Sequence, residues 1–90
     1  MTIPEITDQQ LYAAATLVQE WVRTPHLRKL AIDNLYDQVA LMRVAGDDWP
    51  AYASWDTSQT PISLLPDYDK VDERPVTELN KAVAEVLGIQ

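Results

Sequence analysis

The chain has 90 residues, with 7 basic and 14 acidic side chains and a formal net charge of −7. It has no cysteine, no phenylalanine and only two glycines, which excludes disulfide staples, thiolate metal sites and glycine-rich phosphate loops. A chain this short is expected to form one domain, residues 1–90, burying roughly 60–65% of its unfolded surface.

A hydrophobic fraction of 47% with 23% charged residues matches soluble globular proteins, so a packed core is expected. Apolar stretches are short and broken, and no membrane span is expected. The opening Met1-Thr2-Ile3-Pro4-Glu5 has neither a basic flank nor an apolar core, so it does not read as a signal peptide. Cytoplasmic localisation follows as the expectation. The acid excess argues against direct nucleic-acid binding, which needs clustered Lys and Arg, and favours a basic partner.

The first predicted helix covers residues 8–23. Thr7-Asp8-Gln9-Gln10 has the capping-box spacing, in which the Thr hydroxyl and the Gln side chain satisfy each other's backbone N–H. Ile6 and Leu11 are placed for a hydrophobic staple across that cap. Leu11, Ala14, Ala15, Val18 and Val22 then recur at helical spacing. Thr24-Pro25 restarts the chain, with Thr as cap and Pro at the first helical position. The second predicted helix, residues 25–45, is about 30 Å long at 1.5 Å per residue. Its core face reads Ala31, Ile32, Leu35, Val39 and Met42, with Leu27, Leu30, Leu41 and Val44 on flanking rows. So broad a girdle predicts that this helix is the most buried element. Gly46 stands where a left-handed cap is expected.

Residues 47–74 differ in character. Pro50, Pro61 and Pro66 punctuate them, and Pro75 follows. Asp47, Asp48, Asp56, Asp67, Asp69, Asp72 and Glu73 face only Lys70 and Arg74, with Trp49, Tyr52, Trp55 and Tyr68 interleaved. A short helix from Asp48 to Trp55 and a single turn over 62–65 are expected, with the remainder an irregular acidic aromatic arm. A connection of this length is usually functional or disordered. The last predicted helix, residues 75–87, carries the stripe Val76, Leu79, Val83 and Val86, and Gly88-Ile89 fits a Schellman ending. Three capped helices without strand alternation predict an all-α fold, a small helical bundle with short, antiparallel joints.

No catalytic constellation is found. His26 is the only histidine; it sits in the first turn of a helix with no Ser or carboxylate at a pairing distance, and reads as a surface residue. Asp33 and Asp37 lie one turn apart but lack a histidine partner, so they read as a polar face. The acids from Asp67 to Glu73 lack the central Gly and closing Glu of a calcium loop. Ser54, Ser58 and Ser63 sit in no nucleophile elbow. The basic cluster Arg23, His26, Arg28 and Lys29 reads as a structural or intrachain feature. Residues 79–89 resemble the first helix and turn of a helix-turn-helix over about eleven positions, without the recognition helix that would follow. They read as a Gly-terminated helix.

The expectation is a non-enzymatic protein–protein interaction module without cofactor or metal: a small acidic adaptor or inhibitor docking on a larger protein with a basic or grooved surface. Large rigid aromatics dominate interface energetics and acids around them steer basic partners. The expected contact residues are Asp47, Asp48, Trp49, Tyr52, Trp55, Asp56, Asp67, Tyr68 and Asp69, with Trp49 and Trp55 divided between core and interface. Small acidic cysteine-free chains of this kind resemble accessory products of phages and mobile elements. Two alternatives stand beside this reading: a helical homo-oligomer that buries the girdle of the second helix, and an acidic mimic of nucleic acid that blocks a DNA-binding protein.

Overall fold

A computed structural model describes residues 5–58 and 60–89. Residues 1–4, whose sequence gives no signal-peptide pattern, lie outside the described residues, as does the end of the helix-turn-helix resemblance at Gln90. Helix accounts for 64% of what is described, with two short strands, consistent with a small all-α fold. None of the described helices is long and apolar enough to cross a membrane.

Helix α1 spans Asp8–Trp21. Its capping box is formed: the Gln10 N–H donates to Thr7 Oγ1 at 3.1 Å and the Thr7 N–H donates to Gln10 Oε1 at 2.9 Å. Ile6 and Leu11, the predicted staple, are both buried. The helix stops two residues before the expected end. Val22 turns extended, and the next N–H, of Arg23, donates to the Asp72 carboxylate rather than to the preceding helical turn.

Helix α2, Pro25–Ala45, has the predicted bounds. Its cap differs from expectation. Thr24 makes no side-chain bond to the helix; its hydroxyl donates to Asp72 Oδ1 at 2.7 Å, while Asp72 Oδ2 accepts the Arg23 and Thr24 N–H groups. An acid 48 positions away therefore closes the α1–α2 joint. Nor is α2 the most buried element. Only Ala31, Leu35, Val39 and Met42 are buried, and Leu30, Tyr36 and Val44 are exposed. In the shorter α3, Val76–Leu87, six residues are buried. Helix α1 packs on both α2 and α3.

Gly46, at φ 59° and ψ −134°, turns the chain out of α2 into a 3₁₀ segment, Gly46–Tyr52. These angles lie outside the left-handed helical well and favour glycine on conformational grounds alone. The 3₁₀ segment packs back against α2 and drives Trp49 into the core at 0% exposure. The expected helix through Trp55 ends early, at Tyr52.

The single turn expected over 62–65 is not helical. These residues run irregularly through the interior, with Ile62, Ser63, Leu64 and Leu65 all buried. Buried backbone must find partners, and side-chain amides supply them. Gln38 of α2 brackets Ser63: its Oε1 accepts the Ser63 N–H at 3.1 Å and its Nε2 donates to the Ser63 carbonyl. Asn34, one turn earlier, donates to the Leu64 carbonyl at 2.6 Å. Asn80 of α3, itself buried, accepts the Leu64 N–H at 3.0 Å. Residues 62–65 thus bridge α2 to α3.

A hairpin then forms where irregular loop was expected. Strands β1, Lys70–Val71, and β2, Arg74–Pro75, pair antiparallel with Val71 opposite Arg74. The two turn residues, Asp72 at φ 52° and Glu73 at φ 67°, are both in the positive-φ region, as a two-residue primed hairpin turn requires. Helix α3 follows at once. It ends in the predicted Schellman motif: Gly88 is left-handed, its N–H donates to the Glu85 carbonyl, and the Ile89 N–H donates to the Ala84 carbonyl. Ile89 is buried.

Candidate functional site

The nine residues expected to meet a partner divide into three settings. Trp49 is withdrawn from that role: its ring is fully enclosed and belongs to the hydrophobic core, so it presents no surface. Trp55 is half-buried against it, with ring centroids 5.8 Å apart and planes tilted by 36°, a separation typical of favourable aromatic pairs. The indole N–H groups of both are buried with no acceptor among the described residues, so packing rather than hydrogen bonding holds this pair. The third tryptophan, Trp21, is covered by the Arg74 guanidinium 3.7 Å above its ring, a cation–π contact that fastens the hairpin to α1.

Asp47, Asp48, Tyr52 and Asp56 form the second setting and are all exposed. Asp48 and Tyr52 both belong to the 3₁₀ segment. With Leu41, Val44 and Ala45 of α2 they line an open groove of about 330 Å³. Val44 is 88% exposed and Tyr52 69% exposed. Asp56 is fixed locally: its Oδ1 accepts the Ser58 N–H at 3.0 Å and the Ser58 hydroxyl. That hydroxyl bond, then the backbone bond, lowers its pKa below the ordinary carboxylate value.

Asp67, Tyr68 and Asp69 form the third setting. They are exposed, lie in the approach to the hairpin and do not line the groove. The Tyr68 N–H closes a turn onto the Leu65 carbonyl, and the Asp69 carbonyl accepts the first α3 N–H, of Val76. Their backbone is therefore structural, while their side chains face solvent.

Asp72 was read as one more acid of the arm, yet it is the carboxylate with the most structural work. The Thr24 hydroxyl, then the Arg23 backbone N–H, holds its pKa below the ordinary carboxylate value. The basic cluster nearby is engaged through its backbone at Arg23 and Thr24, and Lys29 pairs within α2 with Asp33 at 2.9 Å. Arg43 donates to the Ile6 carbonyl at 2.8 Å and meets Asp8 at 3.1 Å, tying α1 to α2. Among the described residues no three His, Asp or Glu side chains converge as metal ligands.

The groove floor was not identified as a site from sequence. Leu41 and Val44 read as flanks of a core face. The available signal was angular: at 100° per residue Val44 points roughly opposite Met42, so it could not share the core stripe with it. Comparison with family models, with curated proteins and with solved structures returned no match.

Proposed function

We propose that this chain is a small, cytoplasmic, non-catalytic protein–protein interaction module, an adaptor or inhibitor whose helices pack as a compact bundle. Its contact face is the end of α2 with the 3₁₀ segment. The observation that carries the reading is the exposure of Val44 and Tyr52 beside Asp48 on one groove. Large exposed apolar and aromatic groups bordered by polar groups are a mark of interaction surfaces. Tyrosine in particular contributes contact area at little entropic cost. Trp49 and Trp55 serve this face indirectly, by supporting the 3₁₀ segment from below.

The test is site-specific photo-crosslinking in source cells. Benzoylphenylalanine replaces Tyr52 in one variant and His26, at the far end of α2, in another. A discrete heavier adduct from position 52 that is missing from position 26 supports the reading. Equal adducts from both, or none from position 52, oppose it. A second reading, self-association, is favoured by exposed Leu30, Tyr36 and Val44 on the outer sides of α2; an adduct of twice the chain mass would select it.

A further inference from the structure

The groove between the end of α2 and the 3₁₀ segment has an asymmetric chemistry. Its apolar lining is Leu41, Val44 and Ala45, and its polar groups are the Asp48 carboxylate and the Tyr52 phenol. We propose that it takes a cationic segment of a partner protein. One arginine or lysine lays its methylene stem along Leu41, Val44 and Ala45 and places its charge between the Asp48 carboxylate and the Tyr52 ring. The proposal rests on the interaction reading above and narrows it: this chain supplies the concave half and the partner supplies the charge.

Four features select that occupant. A wholly apolar partner would cover Asp48 without giving it a donor, and burial of an unpaired carboxylate is strongly unfavourable. A long basic side chain matches the groove in both halves, since its stem is apolar and its head is a donor. Tyr52 offers a largely exposed ring over which a cation is attracted, and the same chain already uses that geometry between Arg74 and Trp21. The chain's charge of −7 draws a foreign cation in and opposes a second copy of itself. A foreign segment is therefore the occupant that charge favours.

The experiment is a nitrogen-15 NMR titration of the full chain with a short acetylated, amidated alanine–leucine–arginine peptide. A matched peptide carries neutral citrulline in place of arginine. The proposal expects amide shifts concentrated in residues 41–52. It expects about three- to tenfold weaker binding for the citrulline peptide and for Asp48→Asn, the size of one charge-assisted contact. Asp67→Asn, which removes the same charge elsewhere on the surface, should weaken binding much less than Asp48→Asn, by the general attraction alone. Equal weakening by Asp48→Asn and Asp67→Asn would reduce the effect to general attraction and overturn the proposal. Shifts outside 41–52 would overturn it too, as would equal affinity for the citrulline peptide. Concentration-dependent shifts at 41–52 without peptide would make a second copy the occupant and equally overturn it. If the peptide fails while position 52 still crosslinks a protein in cells, the cationic class falls and the interaction reading stands.

Discussion

Replacing Gln38 by Leu removes a side chain of similar length and takes away both hydrogen bonds to Ser63. In the native chain the Gln38 amide satisfies the Ser63 N–H and C=O together, and Ser63 is buried. The substitution leaves two backbone groups without partners in the interior. An unsatisfied buried group costs about 1–3 kcal/mol, so the expected loss for two is roughly 2–6 kcal/mol, less whatever the added apolar surface restores. A domain of 90 residues has about 4–14 kcal/mol in total, so the variant sits near the edge of folding. Gln38→Glu is the internal control. It keeps an acceptor for the Ser63 N–H but, when ionised, sets a carboxylate oxygen against the Ser63 carbonyl, so it should be destabilised at neutral pH and recover part of the loss relative to wild type at low pH, where the protonated carboxyl regains a donor. Urea unfolding followed by circular dichroism measures both, and amide exchange at Ser63 and Leu64 localises the change. If Gln38→Leu lost under about 0.5 kcal/mol, the level of an ordinary surface change, the amide bridge would not be holding residues 62–65. The account of the core would then be refuted.

Three further outcomes are expected. Trp49→Ala, which empties a fully buried site, should cost about 3–5 kcal/mol, whereas Tyr52→Ala should stay within about 0.5 kcal/mol; calorimetry separates them, and comparable losses would contradict the division between core and surface. Glu73 has φ 67°, a left-handed backbone that costs a side-chain-bearing residue about 1–2 kcal/mol, so Glu73→Gly should raise the melting temperature by a few degrees, and a fall would contradict the strained turn. Asp72 has a lowered folded pKa, so its stabilisation is fully present above the unfolded value of about 3.9 and is lost as pH falls through the lower folded value. Asp72→Asn, which tolerates the same backbone, should be less stable than wild type at neutral pH and should lose less on acidification across that interval; an unchanged acid slope in thermal melts would contradict its role at the α1–α2 joint.

Local signals in this chain were legible because each has its chemistry within a few residues. Thr7 with Gln10, Pro25 and Gly88 with Ile89 carry their own hydrogen-bonding logic, and the structure uses all of them. What could not be read was long-range satisfaction of the backbone. Asn34 and Gln38 stand one turn apart on α2, a spacing that looks like a solvated stripe, yet both serve residues 25 to 30 positions away. Asp72 looks like one acid in an acidic run, yet its carboxylate takes the Thr24 hydroxyl expected to cap α2 and the Arg23 N–H that follows α1. The hairpin was hidden because Asp72-Glu73 lacks the glycine that ordinarily marks a primed turn; the bonds from Arg23 and Thr24 to the Asp72 carboxylate offset the strained geometry. The candidate face was half legible. The sequence singled out Asp48 and Tyr52, but it could not separate Trp49 from them, since aromatic residues serve core and interface alike. It also left Val44 and Leu41 together on rows flanking the core face, because a wide apolar girdle does not reveal which of its edges is left uncovered.

The most direct test of the central claim is quantitative affinity capture from source-cell lysate, read by mass spectrometry. It compares wild type with the Val44→Lys/Tyr52→Ala double variant, which sets a repelling charge in the groove and removes the ring. Both positions are exposed, so the variant should melt within a few degrees of wild type. The account predicts one protein strongly enriched by wild type and reduced to background by the variant. Equal recovery of that protein by both baits would place the contact elsewhere on the molecule and contradict the account.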